Sequence, residues 1–262
     1  MKIVVCIKQV PGSNRVSFDP ITHNLVREGM DGRMNPFDEN AIEAAVRLRE
    51  QVGGEVILLS MGPDAAKETL HDGMAMGADS AYLLSSRAFA GSDTLATGYV
   101  LAQAIRKIGG VDLTLFGRQA VDADTGQVGP IVATELDQPQ ATFAEKIQPL
   151  DAQHLVVDRD LGAETQSVQL TLPAVITVRA EANQPRYESP VAIQQSLTKP
   201  LTTWTDQDLT LDVKRIGQAG SPTIVRKVYA PQPTTRAAKP LPQDPQAAAR
   251  ELLNILQAQG LL

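Results

Sequence analysis

The chain has 262 residues, 43% hydrophobic, 21% charged and only 4% aromatic, with a formal net charge of −6. Ordinary globular usage excludes global disorder, and an acidic, aromatic-poor surface excludes a nucleic-acid binder, which needs cations and stacking rings. A single cysteine, Cys6, excludes a disulfide framework, and His23, His71 and His154 are too scattered for zinc.

The apolar run Ile3–Ile7 is too short for a helix and predicts a buried strand. It is also too short for a signal peptide, and no stretch approaches a membrane span, so the expectation is a cytoplasmic protein without membrane insertion. Val16–Phe18 and Asn24–Arg27 flank Asp19-Pro20 and predict a small hairpin. Asn35-Pro36 opens a helix, with Asn35 as a good N-cap. Ala41, Ile42, Ala45, Val46 and Leu48 carry its period, and Gly53-Gly54 ends it. Glu55–Met61 reads as a strand, and Gly62-Pro63-Asp64 starts a helix running to about Met76. Ser80–Ser85 is a strand, Asp93–Ile108 a helix capped by Asp93, Val111–Phe116 a strand, and Gln127–Leu136 a helix. This alternation predicts an α/β fold, a doubly wound and mostly parallel sheet with helices on both faces.

After about Pro139 the pattern changes. Ala141–Ile147, His154–Arg159, Ser167–Leu172 and Ala174–Val178 are closely spaced strand candidates, of which two or three add antiparallel strands. From Arg179 the chain turns irregular and rich in Pro, Gln and Thr, then ends in an amphipathic helix over Pro245–Leu256 with Leu252, Leu253 and Leu256 on one face. Residues 1–200 are therefore expected to form the ligand-binding α/β domain, and residues 201–262 an extended C-terminal arm. A tail unable to bury its own surface is disordered or lies on something else, and the apolar helix favours a partner chain.

The strongest local feature is Gly117–Pro130, between a strand and a helix. Ligands in open α/β sheets sit outside the carboxyl ends of strands. Gly126 and Gly129 let backbone approach a ligand, Thr125 adds a hydroxyl, Asp122 or Asp124 takes ribose hydroxyls, and the helix start holds a phosphate. A capped helix start with no ligand uses the same residue types. Neither Walker A nor G-x-G-x-x-G is present. Loops after the other strands, at Cys6–Val10, Ser60–Pro63 and Ala88–Thr94, fall at the same sheet edge, which favours a ligand crevice. No nucleophile, base and carboxylate combine into a catalytic set, so any chemistry belongs to a cofactor.

At these residues the sequence resembles the β subunit of electron-transfer flavoproteins over essentially its whole length. The resemblance rests on Val4–Pro11, Met34–Asp38, Ala75–Asp79, Gly117–Pro130 and Leu172–Thr177. It implies a heterodimer with an FAD-carrying α subunit, on which the arm and final helix pack. It implies a nucleotide site at Cys6, Asn35, Pro36, Phe37, Asp38, Met61, Val121, Asp122, Ala123, Asp124, Thr125, Gly126, Gln127, Val128, Gly129, Pro130, Ile131 and Val132. The ordinary type holds AMP there. The segments Phe89–Thr97 and Gly217–Thr223 are more similar to the electron-bifurcating branch, in which a second FAD replaces AMP, with Asp93 and Thr94 as added contacts. By the same implication NADH is the electron donor and ferredoxin or flavodoxin a low-potential acceptor. A recognition loop for an acyl-CoA dehydrogenase falls near Ala182–Lys199, where Gln194–Lys199 departs from the lysine run of relatives.

Overall fold

A computed structural model describes residues 1–12, 32–224 and 240–262. The predicted hairpin at Val16–Arg27 lies outside the described residues. The chain divides into two compact units, Met1–Arg226 and Lys227–Leu262.

The first unit opens with β1 (Lys2–Cys6), followed by a short antiparallel pair, β2 (Gln9–Pro11) and β3 (Gly32–Met34). Helix α1 (Pro36–Val52), β4 (Glu55–Met61), α2 (Ala66–Ala75) and β5 (Ser80–Leu84) follow. Then come α3 (Thr94–Ile108), β6 (Leu113–Gly117) and α4 (Val128–Leu136). Strands β7 (Gln140–Pro149), β8 (His154–Asp160), β9 (Thr165–Thr171) and β10 (Ala174–Val178) complete the run before α5 (Pro190–Ser196) and β11 (Leu201–Trp204).

The main sheet has nine strands in the order β11-β5-β4-β1-β6-β10-β7-β8-β9. The core from β11 to β7 is parallel, and β8 and β9 continue it antiparallel as a meander. Strand β10 is buried along its whole length because it is inserted between β6 and β7, with sheet on both sides. From β1 the chain winds outward through β4 and β5, then crosses back to place β6 on the other flank of β1. That reversal is a topological switch point at the carboxyl ends of β1 and β6, the position where ligands bind in open α/β sheets.

Alternation along the strands separates two cores. Ile3 and Val5 pack with Ile42, Val46, Leu70 and Met74 under α1 and α2. Val4 and Cys6 pack with Leu59, Val100, Ile105 and Val132 under α3 and α4. Helix α2 begins at Ala66, later than Gly62-Pro63-Asp64 suggests, because residues 63–65 make a turn in which the Pro63 carbonyl accepts from the Ala66 amide at 3.0 Å.

The expected break after residue 200 is displaced. Leu201–Trp204 pairs in parallel with β5, Leu209 and Ile216 enter the second core, and Trp204 stacks on Tyr82 with centroids 4.3 Å apart. A four-residue edge strand whose central threonines face solvent carries too little hydrophobic pattern to read from sequence. Within the second unit, α6 (Pro245–Ala258) is capped by Asp244 and exposes Leu252 and Leu253.

Candidate functional site

The loops leaving β1, β4, β5 and β6 all emerge at one edge of the sheet, as the parallel register requires. Two buried residues at the start of α1 tie that edge together. Asn35 stands at the N-cap position but does not cap the helix with its side chain. Its Nδ2 donates to Asp38 at 2.9 Å and to the Gln119 carbonyl at 2.8 Å, and its Oδ1 accepts from the Val121 amide at 3.1 Å. The cap expected from sequence is thus spent on the loop after β6.

Asp38 receives the Lys8 amide at 2.8 Å and the Gly117 amide at 3.2 Å, so one carboxylate joins the ends of β1 and β6. Burial dominates its ionisation and pushes the carboxyl up to about 7, against the pull of the Asn35, Lys8 and Gly117 donors and the Lys8 charge. Gly117 is required by this approach: a Cβ there would lie 2.3 Å from Asp38 Oδ1 and 2.6 Å from the Phe37 carbonyl carbon. Cys6 is buried in the core behind the crevice; burial first and the Asp38 charge second push its thiol well above the ordinary value. Met61 closes β4 at the same edge and packs partly against that core.

The predicted stretch Val121–Val132 divides into two parts. Val121, Asp122, Ala123, Asp124 and Thr125 form an exposed loop. Asp122 pairs with Lys8 Nζ at 2.7 Å, and Asp124, left-handed at φ 54°, accepts from the Gln119 amide group. Gly126 is left-handed too, at φ 61°. The remainder is α4, where Gly129, Val132 and the flanking Val128, Pro130 and Ile131 lie on or near the sheet and α3. Gly129 was expected to admit a ligand, but its small size serves packing: a Cβ would lie 2.6 Å from Thr177 Cγ2. Gln127 at the N-cap of α4 makes no side-chain cap, so the first amides of this helix are not taken by a side chain of their own.

The β5 loop meets the β6 loop here. Thr94 Oγ1 donates to Gln127 Oε1 at 2.8 Å, bringing the starts of α3 and α4 together. Asp93 caps α3, its Oδ1 accepting from the Leu95 and Ala96 amides at 3.0 and 3.1 Å. Its Oδ2 accepts from the amide and hydroxyl of Thr223 at 3.1 and 2.8 Å, so both carboxylate oxygens are engaged within the protein. The Asp93 amide in turn donates to Ser221 at 2.8 Å. Lys8, Gly117 and Gln119 lie within the Cys6–Val10 and Gly117–Pro130 loops singled out from the sequence, but were not individually named as ligand contacts.

A second feature lies at residues 182–199, expected as irregular chain. Arg186 donates to Glu43 and Glu50 of α1 at 2.8 Å each. Lys199 donates to the Met74 and Ala78 carbonyls at the end of α2, at 2.8 and 2.7 Å. Between these anchors α5 is presented with Tyr187 94% exposed and Val191 and Leu197 63% and 66% exposed.

Comparison with known proteins places the electron transfer flavoprotein domain over residues 22–209. The electron transfer flavoprotein subunit beta of Thermoanaerobacterium thermosaccharolyticum is 41% identical over 263 residues, covering 100% of both chains. The chain belongs to the electron-transfer flavoprotein β-subunit family. This β-type chain is also 43% identical over 232 residues to the caffeyl-CoA reductase-Etf complex subunit CarD of Acetobacterium woodii, covering 88% of each. With protein FixA of Azorhizobium caulinodans it shares 42% identity over 238 residues, covering 88% of this chain and 85% of the relative. Among the described residues no helix is long and apolar enough to cross a membrane, and no cluster of His, Cys, Asp or Glu could hold a metal.

Proposed function

We propose that this β-type chain works in a complex with an FAD-carrying α subunit and holds a nucleotide at the β1–β6 crevice, with FAD there in preference to AMP. The observation that carries the reading is the Thr94–Gln127 contact, which sets two helix starts side by side next to the Asn35–Asp38 hub. One helix start suits one phosphate; a longer ligand needs polar groups over a longer track. The donor set fits: the uncapped start of α4 offers amides to phosphate, Gly126 gives backbone access, and Asp122 and Asp124 offer carboxylates to ribose hydroxyls.

A flavin held there would supply hydride and single-electron redox chemistry, with NADH as the donor in this reading. The chain's own residues orient it. The Asn35–Val121 and Lys8–Asp122 contacts hold the loop over the switch point, and the apolar wall of Cys6 and Met61 limits water behind it. The partners this reading implies are the α-subunit FAD and a low-potential acceptor, ferredoxin or flavodoxin, to which such a flavin would pass electrons. The anchored α5 segment suits docking of an acyl-CoA dehydrogenase by apolar contact through Val191 and Leu197.

The ordinary AMP-holding type is the second reading. It is favoured by Asp93, whose carboxylate oxygens are both engaged and offer no free acceptor to a longer ligand. The nucleotide content of the purified complex separates the two. Two FAD per heterodimer supports the proposal; one FAD with one AMP establishes the alternative.

A further inference from the structure

Arg118 follows β6 directly, its amide donating to the Val178 carbonyl at the end of β10 at 2.8 Å. Its guanidinium lies over the Phe143 ring, 5.4 Å from the centroid. The inner nitrogen, Nε, is shielded from solvent and has no hydrogen-bond partner, and the side chain makes no ion pair among the described residues. Arg47, Arg179, Arg186 and Arg215, by contrast, each face a carboxylate. A guanidinium with no carboxylate beside it keeps its charge available to an anion.

The platform beneath it is built at a cost as well. Phe143 is left-handed at φ 59°, a conformation unfavourable for a bulky residue, and sits where the β7–β10 register shifts. The Thr177 hydroxyl accepts its amide at 3.0 Å and fixes it there. Strained backbone held by specific hydrogen bonds collects at ligand clamps. The Arg118 carbonyl also backs onto Gly126, 3.4 Å from where a Cβ would stand, so the pair adjoins the proposed phosphate-holding loop.

We infer that the Arg118–Phe143 pair is a further anion subsite, in which Arg118 takes a phosphate oxygen of the bound nucleotide. The inference rests on the nucleotide reading above and deepens it: the ligand track continues from the β1–β6 switch point across β6 toward β10 and β7. An arginine held over an aromatic ring is restrained in orientation while its outer donors stay available to an oxyanion.

The test uses the heterodimer freed of bound nucleotide, with ADP and adenosine as probes in calorimetric titration. Arg118→Gln is expected to weaken ADP by roughly 10- to 100-fold, the loss of a charge-assisted hydrogen bond, and to leave adenosine unchanged. Arg118→Lys, keeping charge without the fork, is expected to fall between. Equal loss for both probes would make Arg118 merely structural, and no loss for either would remove it from the site; each outcome overturns the inference. Wild type that binds neither probe overturns the nucleotide reading itself. Melting-temperature gain from inorganic phosphate alone, as large as that from ADP, would reassign the pair to a free anion and overturn the nucleotide assignment.

Discussion

Asn35 and Val121 are 86 residues apart in sequence, yet the Asn35 Oδ1 accepts the Val121 amide at 3.1 Å. With the Gln119 carbonyl bound at the other end of the same amide group, this side chain holds the loop after β6 against the start of α1. Asn35→Ala would leave that amide and carbonyl without their partner. The expected cost is about 1–3 kcal/mol in urea unfolding, with loss of nucleotide from the purified complex. Wild-type stability with full nucleotide content would refute the role.

Asp38 predicts an inverted pH dependence for an acidic residue. Its folded-state pKa of about 7 lies above the unfolded value near 3.8. The folded state therefore binds the proton more tightly, and the contribution is fully present below about pH 4 and lost as pH rises through 7. Stability curves from pH 4 to 8 should fall less steeply for Asp38→Asn than for the wild type. Parallel curves would contradict the burial argument.

Gly117→Ala places a methyl group against the Asp38 carboxylate, held by the Lys8, Asn35 and Gly117 donors, and against the Phe37 and Asp38 backbone, which cannot swing aside. Overpacking of this kind costs about 1–3 kcal/mol. Because the clash separates α1 from β6, nucleotide content should fall together with the denaturation midpoint. A lowered midpoint with unchanged nucleotide content would detach the site from this contact.

The Thr94–Gln127 contact is open to a double-mutant cycle. Thr94→Val and Gln127→Leu should each destabilise slightly, and the pair should show a coupling of about 0.5–1.5 kcal/mol. The cycle is to be run with and without added FAD. Coupling that disappears in both conditions would mean the two helix starts are not joined in solution.

Glu43 is 3% exposed and receives both Arg47 and Arg186. Burial works to raise its pKa, but the hydrogen bonds from the two arginines outweigh it and hold the carboxyl below its usual range. That contribution is present above the unfolded carboxylate value near 4.5 and is lost as pH falls through the lower folded value. Arg186→Ala should cost roughly 1–3 kcal/mol at neutral pH and less in acid. Amide exchange over residues 183–199 should accelerate in the variant; unchanged protection would show that Arg186 does not anchor α5.

Much of the fold was legible because its signals are local. The run Ile3–Ile7, the capped Asp93 start and the Gly53-Gly54 stop declare themselves within a few residues, and the structure places β1, α3 and the end of α1 there. Strands β8 and β9 were legible among four closely spaced candidates, but which of the four run antiparallel was decided by the pairing. Strand β11 was not, because an edge strand of four residues presents little apolar pattern. Helix α5 was hidden for a similar reason: its anchors, Glu43 and the α2 carbonyls, lie far away in sequence.

The sequence by itself determined the alternation of strands and helices and the family, and it singled out Val121–Val132 as the candidate ligand stretch. Periodicity and turn chemistry act over a few residues and need no knowledge of the rest of the chain. Only the tertiary structure decided what Asn35, Asp38, Asp93 and Gly129 do. Asn35 holds a distant loop in preference to capping its own helix; Asp38 joins two strand ends; Asp93 is engaged on both oxygens; Gly129 lets a helix close on the sheet. Each role depends on a partner brought near by the parallel register, and hydrogen bonds and excluded volume act through space, which the linear order does not specify.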